Sequence, residues 1–130
     1  MEEIKISEFK ELKVGKYVLI DGEPCRVAST THSKPGKHGG AKIRADAIGL
    51  FDDQKRVIMG PVGQKIEVPI IHKKTAQVLV AIKEKAQLMD MESYETFDLP
   101  VPEELKDKIS EGVSVMYMEY NSKRRILQLA

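Results

Sequence analysis

The sequence is poor in cysteine and in aromatic residues. It contains one cysteine, no tryptophan and only four tyrosines and three phenylalanines in 130 residues. The single thiol, Cys25, excludes an intramolecular disulfide and a multi-cysteine metal site, and it is typical of a reducing compartment. The first ten residues alternate charged and apolar side chains, so neither a signal peptide nor a membrane span is predicted. We therefore expect a cytoplasmic protein with no membrane partner, and a buried strand position for Cys25.

The sequence also lacks a net excess of either charge. Lys and Arg number 21 and Asp and Glu 20, which gives a net charge of +1. A uniformly basic nucleic-acid binder is thereby excluded, and any nucleic-acid partner must meet a local patch. The chain is 42% hydrophobic, and its length suits one ordinary domain or two very small ones. Two domains of that size would need tightly packed strands.

The first half of the chain has the pattern of a small all-β barrel. Asp21-Gly22 is a favoured two-residue turn, which predicts a hairpin between Tyr17–Ile20 and residues 23–29. In residues 41–50 apolar and charged side chains alternate, which indicates a half-buried strand. Further strands are predicted at residues 56–59 and 66–68.

The second half predicts a different order of elements. Strands are expected at residues 77–82, 86–91 and 94–99, a short helix at 103–109, and strands at 113–118 and 126–129. Three strands, a helix and two strands is the order of the OB-fold, which often binds oligonucleotides. We therefore predict two domains, residues 1–69 and 70–130.

A polar, glycine-rich segment separates two of the predicted strands. Residues 30–41 are too polar to pack and should project as a hairpin loop, with Lys37 and His38 at or beside its tip. From Pro24 to Ala45 there are no acids and five cationic residues, which would seek phosphates. The five are Arg26, Lys34, Lys37, Lys42 and Arg44.

Other chemistries fit this loop poorly. A phosphate-binding P-loop needs Ser or Thr and then a helix after its Gly-Lys, but His38 and two glycines follow Lys37. The histidines His32, His38 and His72 lack an accompanying cysteine or helical histidine pair, so no metal site is predicted. A glycine-flanked lysine in water should stay protonated, so we expect no catalytic role and no enzyme activity.

The segment Ser-Lys-Pro-Gly-Lys-His-Gly-Gly-Ala-Lys at residues 33–42, extended by Asp-Ala-Ile-Gly-Leu-Phe at 46–51, resembles the hypusine loop of the translation initiation factor 5A family in its archaeal form. The resemblance covers essentially the whole chain. It implies an all-β protein with an N-terminal SH3-like barrel, followed by a C-terminal OB-fold barrel with one short helix. This is the same division that strand order predicts.

The resemblance implies that Lys37 is the acceptor of a covalent modification. Deoxyhypusine synthase would transfer an aminobutyl group from spermidine to it, using NAD in the enzyme's own chemistry, and no separate cofactor would be bound. Eukaryotic members commonly have His where Gly40 stands and Thr where Pro35 stands. Deoxyhypusine is therefore the expected product, with hypusine as the alternative. The modification loop would consist of Ser33, Lys34, Pro35, Gly36, His38, Gly39 and Gly40 around Lys37.

The implied partner is the ribosome, through its rRNA and the P-site tRNA, with no small-molecule substrate. The modified side chain would assist peptide-bond formation, especially in stalled contexts such as consecutive prolines. Lys34, Lys42 and Arg44 are candidate RNA contacts. A competing hypothesis is an unmodified OB-fold RNA-binding module.

Two further groups of residues could also contact RNA. The aromatic residues of the second half lie on predicted strands, where a core position is expected for most of them. A basic turn near the end is expected to be a solvated hairpin. These residues are Tyr94, Phe97, Tyr117 and Tyr120, and Lys123, Arg124 and Arg125.

Overall fold

The computed structural model describes residues 3–33 and 40–130, which divide into two compact units, Met1–Ile70 and Ile71–Ala130. Apart from two short 3-10 turns, the regular structure described is β-strand. The predicted all-β fold with two barrel-like units is confirmed.

The described residues of the N-terminal unit, 3–33 and 40–70, contain six strands in two sheets. They are β1 (Ile4–Glu8), β2 (Tyr17–Ile20), β3 (Glu23–Ser33), β4 (Lys42–Gly49), β5 (Lys55–Pro61) and β6 (Lys65–Pro69). The order β2-β3-β4-β5 forms a four-stranded antiparallel sheet, and β1 pairs with β6. Asp21 and Gly22 both have positive φ, 52° and 79°, as the predicted turn between β2 and β3 requires.

One face of this curled sheet surrounds the core of the unit. On β4 the buried residues Ile43, Ala45 and Ala47 alternate with outward-facing residues, as their sequence pattern predicts. Cys25 is buried on β3 as expected, and burial raises the pKa of its thiol. The 3-10 turn Phe9–Glu11 lays Phe9 over this core. The buried cluster comprises Phe9, Leu12, Val18, Ile20, Cys25, Val27, Ile43, Ala45, Ala47 and Ile66.

The C-terminal unit is one five-stranded antiparallel sheet in the order β11-β10-β7-β8-β9. Its strands are β7 (His72–Ile82), β8 (Lys85–Asp90), β9 (Thr96–Pro100), β10 (Ser114–Tyr120) and β11 (Lys123–Leu129). The end strands β9 and β11 also lie next to each other, so the sheet curls towards closure. Its core consists of Ala76, Val78, Ala86, Leu88, Leu99, Leu105, Ile109, Val115, Tyr117 and Ile126.

The predicted helix at residues 103–109 is reduced to a 3-10 turn, Glu103–Leu105, followed by a non-helical turn. Helices this short do not sustain themselves, so side-chain packing decides their conformation. Here the segment buries Leu105 and Ile109 against the sheet, and the backbone between them need only bring these two side chains to the same side.

Several strands differ from the sequence prediction, and the largest differences are these. β1 was not expected, and β7 begins at His72 rather than at residue 77. β3 continues through residues 30–33, which were assigned to the loop, because these residues pair with β4. Tyr94 was expected to begin a strand but lies in the turn before β9.

A buried carboxylate organises the turn between β8 and β9. Asp90 is only 4% exposed, and its side chain accepts hydrogen bonds from the Tyr117 hydroxyl at 2.5 Å and from the N–H groups of Glu92 and Ser93, both at 2.8 Å. Burial alone would raise the pKa of the Asp90 carboxyl, but these hydrogen bonds outweigh it and lower the pKa to about 2. Burial and the neighbouring carboxylate raise the pKa of Tyr117, so its hydroxyl remains a donor.

The first prediction concerns the close packing of β5 on Phe9. A Cβ at Gly60 would lie 2.7 Å from Cε2 of Phe9 and 2.8 Å from Oε1 of Gln64, whereas a Cβ at Gly63 would meet nothing within 4 Å. Gly60→Ala should lower the free energy of unfolding by about 1–3 kcal/mol because the Phe9 ring must move. Gly63→Ala is the matched control. Equal denaturation midpoints for the two variants would contradict this packing.

The second prediction concerns acid stability. The depressed pKa of Asp90 contributes stability that is complete above the unfolded value near 3.8 and is lost as the pH falls towards 2. This contribution is about 2 kcal/mol. Asp90→Asn should therefore reduce the fall in unfolding free energy between pH 4 and pH 2 by about this amount. Asp98→Asn, at an exposed position on β9, is the control and should preserve the wild-type pH profile.

Candidate nucleic-acid interface

The hairpin formed by β3 and β4 carries the predicted basic loop. The two strands pair from Cys25 opposite Gly49 to Ser33 opposite Lys42, with a bulge between Val27 and Ser29. The pairing therefore continues beyond the barrel core, up to the residues that flank the loop. This hairpin stem is a regular two-stranded support, because backbone hydrogen bonds fix both of its strands.

Most of the predicted modification loop lies outside the described residues, namely Lys34, Pro35, Gly36, Lys37, His38 and Gly39. Its flanking residues Ser33 and Gly40 are described, and both are exposed. Among the described residues, nothing lies within 4 Å of a Cβ added at Gly40.

Two candidate RNA contacts lie in a row on the outer face of β4. Lys42 and Arg44 are both exposed and stand two residues apart, with Asp46 next along the same face. An Arg44 nitrogen lies 3.3 Å from Oδ1 of Asp46, and the Ser29 hydroxyl donates to Oδ2 at 3.1 Å. Arg44 is thus partly neutralised by its neighbour, whereas Lys42 has no ion pair within the described part of the chain.

The strand beside this row presents apolar side chains on the same face. On β5, Met59 is opposite Arg44 and Val57 is opposite Asp46. Met59 is 63% exposed and Val57 51%. Phosphate oxygens would meet the cations, while the apolar faces of sugars or bases could contact Met59 and Val57. The sequence prediction did not identify this apolar row. The row is recognised in the structure, because Met59 and Val57 are exposed on an edge strand.

The described histidines do not assemble a metal centre. His32 is exposed on β3, His72 is exposed on β7, and His38 lies outside the described residues. Among residues 3–33 and 40–130, no group of three or more His, Cys, Asp or Glu side chains is arranged to hold a metal ion. In the same residues, no helix is long and apolar enough to cross a membrane.

The aromatic residues of the C-terminal unit divide between core and surface. Tyr117 and Tyr120 are buried. Phe97 is half-buried, packs edge-on against Tyr117 at a centroid distance of 5.1 Å, and lies 4.3 Å from the Arg124 guanidinium carbon. Tyr94 alone of the four is highly exposed, at 70%. The core positions expected for most of these aromatics are confirmed.

The basic turn near the C-terminus differs from the solvated hairpin that was expected. Residues 123–125 are half-buried. Nε of Arg124 lies 2.6 Å from a Glu119 oxygen, and its Nη2 lies 3.0 Å from Oε1 of Glu95. The Arg124 guanidinium is thus paired with both acids and lies over the Phe97 ring. Arg124 therefore stabilises the barrel and is not a free phosphate contact.

Known proteins resemble the chain over nearly its full length. The family model described as translation initiation factor 5A-like, N-terminal, matches residues 4–62. Translation initiation factor 5A of Archaeoglobus fulgidus is 55% identical over 123 residues, covering 95% of this chain and 96% of that protein. That of Methanothermobacter thermautotrophicus is 49% identical over 124 residues, covering 95% of each.

Solved structures agree with the sequence comparisons. Eukaryotic translation initiation factor 5A from Methanococcus jannaschii superimposes with a TM-score of 0.89 at 41% identity, covering 98% of this chain and 95% of that one. A family protein from Naegleria fowleri gives 0.74 at 26% identity, with 97% of each chain covered. The chain is therefore a translation factor with SH3-like and OB-like β folds. It belongs to the translation initiation factor 5A family.

The third prediction tests the row on β4 as a phosphate contact. If Lys42 contacts phosphates, Lys42→Ala should weaken binding to RNA and reduce the slope of log affinity against log salt by about one. Asp46→Asn should act in the opposite direction, because it releases Arg44 for a phosphate. Lys13→Ala, an exposed cation in the segment before β2, is the control. An equal loss for Lys42→Ala and Lys13→Ala would show that only net charge matters.

Proposed function

We propose that this translation factor binds the ribosome and assists peptide-bond formation through a modified Lys37. Its side chain, as deoxyhypusine or hypusine, reaches the acceptor end of the P-site tRNA. It relieves stalling, for example at consecutive prolines. The observation that carries the proposal is the paired β3–β4 stem, which continues to Ser33 and Lys42 on either side of the Lys37 segment, in a chain of this family.

The β3–β4 stem is a suitable support for a segment that must enter a narrow, phosphate-lined space. Its backbone is held by strand pairing, and its outer face offers Lys42 and Arg44 to phosphates. The segment between its strands is rich in glycine and carries Lys37. An anchored stem with little side-chain mass beyond it lowers the entropic cost of placing one long side chain.

The modification supplies what an ordinary lysine lacks. Transfer of an aminobutyl group from spermidine to Lys37 by deoxyhypusine synthase lengthens the side chain and adds a second amine. The group is held covalently, so no dissociable cofactor is needed. The factor would accelerate the reaction by positioning the tRNA end, because aligned reactants have a smaller entropic barrier. The factor would act in the cytoplasm, where its ribosomal partner lies, and carries out no catalysis of its own.

The fourth prediction tests Lys37 directly. Protein treated with deoxyhypusine synthase and spermidine should gain one aminobutyl increment, located at Lys37 by peptide mass mapping. Only the modified protein should then stimulate synthesis of a proline-run peptide in a reconstituted translation system. Lys37→Arg should abolish both the mass increment and the stimulation, because arginine keeps the charge but offers no acceptor amine.

Lys34→Arg is the matched control, since Lys34 lies in the same segment and should leave modification intact. Full stimulation by Lys37→Arg would overturn the proposal. If that variant also bound free oligonucleotides as well as wild type, the unmodified RNA-binding module would become the better hypothesis.

A further inference from the structure

The N-terminal unit contains a groove between the β1–β6 ribbon and the segment that leads into β2. Its volume is about 550 Å³, within the range of about 300–1,000 Å³ that small-molecule sites occupy. Lys5 is opposite Val68 and Ser7 is opposite Ile66, so these four side chains share one face of the ribbon and form one wall. The other wall comes from the segment 11–17. The proposed function makes no use of this groove.

The base of the groove is apolar. Leu12 is 3% exposed and Ile66 is 5% exposed, and both belong to the core of the unit. Val68 packs against the same core, and the half-buried Tyr17 adds an aromatic ring. A flat apolar group lying here would remove these side chains from water. The base therefore favours a ligand with an apolar or aromatic body.

The rim of the groove carries charges of both signs. Lys5 and Lys16 line it together with Glu11, and all three side chains are exposed. Within the described residues 3–33 and 40–130, none of the three makes an ion pair. The two cations and the carboxylate are therefore available to a ligand, and a complementary ligand has to satisfy both kinds of charge.

The charged residues around the groove preserve this balance. Arg26 is exposed and lies opposite Tyr17 on the neighbouring strand, which adds a cation on the groove side. Glu3 precedes Lys5 on the same face of β1 but does not line the groove, and it already interacts with another group. Glu8 and Glu67 lie on the opposite face of the ribbon. Glu11 is thus the one described acid that lines the groove.

The backbone of the second wall is fixed before any ligand binds. The Leu12 N–H donates to the Phe9 carbonyl at 3.0 Å, and the Gly15 N–H donates to the Val27 carbonyl at 2.9 Å. The Val27 N–H in turn donates to the Lys16 carbonyl at 2.8 Å. A site with walls held in this way loses little conformational entropy when it is filled.

We infer that this groove binds a ribonucleotide with free 2′ and 3′ hydroxyls. The base lies on Leu12 and the Tyr17 ring, the phosphate lies between Lys5 and Lys16, and the sugar hydroxyls donate to the Glu11 carboxylate. Aromatic and apolar side chains take bases, lysines bind phosphate as point charges, and a carboxylate commonly accepts from ribose hydroxyls. A bare anion would leave the apolar base uncovered and would be repelled by Glu11.

A free mononucleotide and the 3′-terminal residue of an RNA share this chemistry, and the test separates them. The inference goes beyond the proposed function, which rests on Lys37. None of the measurements below involves Lys37 or its modification, so the two stand or fall separately.

Binding is measured on the full chain by NMR titration with adenosine 5′-monophosphate. Amide shifts should cluster at the residues that line the groove. Lys5→Ala and Lys16→Ala should each raise the Kd by about three- to fivefold, the effect of one exposed ion pair. Lys13→Ala is the matched control, because Lys13 is exposed on the same segment but does not line the groove. Equal effects of Lys16→Ala and Lys13→Ala would overturn the inference.

The role of Glu11 distinguishes a nucleotide from a simple anion. Wild type should bind adenosine 5′-monophosphate more tightly than its 2′,3′-dideoxy analogue, and Glu11→Ala should bind the two equally because it lacks the accepting carboxylate. Glu67→Ala, on the opposite face of the ribbon, should keep the wild-type preference. If Glu11→Ala only tightened binding of both ligands, the carboxylate would merely repel phosphate, and the inference would be wrong.

The last comparison separates the two sources. If the ligand is an RNA end, a short oligoadenylate with a 3′ hydroxyl should bind the groove more tightly than the mononucleotide, and a 3′ phosphate should remove that binding. If the ligand is a free nucleotide, the mononucleotide should bind more tightly. Two further results would contradict the inference, namely no shifts at the groove with either ligand, or the same shifts and Kd with inorganic phosphate alone.

Discussion

The bulge between Val27 and Ser29 determines how the β3–β4 stem is built. Before it, Cys25 and Val27 face the core; after it, Thr30 and His32 lie opposite the buried residues Ala45 and Ile43. The extra residue thus changes which β3 positions face inward. It also places Ser29, rather than Ala28, opposite Asp46, where the serine hydroxyl donates to the carboxylate. The register of the stem and the charge available on its outer face both follow from this one insertion.

A second constraint acts in the C-terminal unit, where Asp90 holds the turn that contains Tyr94. A bulky residue in a sparsely populated backbone region costs about 1–3 kcal/mol. Each hydrogen bond to a charged group contributes about 1.5–3 kcal/mol, and the buried carboxylate accepts three. Burial of the charge offsets part of this contribution, so the carboxylate counters the strain by an amount of similar size. The same bonds keep Asp90 ionised in a buried position, so the turn and the acid stability of the unit depend on one side chain.

Alternation of apolar and polar residues was sufficient to predict β4, and Asp21-Gly22 was sufficient to predict the turn between β2 and β3, because both are local signals. The end of β3 was missed because the bulge interrupts the alternation, and residues 30–33 are polar on both faces. The helix was overestimated because Pro102 and the acids after it resemble a helix start, while Leu105 and Ile109 needed only one turn. The conformation of Tyr94 could not be predicted, since tyrosine favours strands. The candidate phosphate contacts were identified from charge alone, but the pairing of Arg44 with Asp46 depends on which face each residue occupies.

The net charge of +1 conceals an uneven distribution of charge along the sequence. The stretch without acids, Pro24 to Ala45, lies in the N-terminal unit, and the stretch without bases, residues 86–105, lies in the C-terminal unit. At physiological salt, charges are screened over about 8–10 Å, whereas an eight-residue strand such as β4 extends for about 26 Å. A partner therefore responds to the charges close to the surface that it contacts and not to the net charge of the protein. A nearly neutral protein can therefore present the exposed cations of β4 to phosphates, because the acids that balance them lie elsewhere in the sequence.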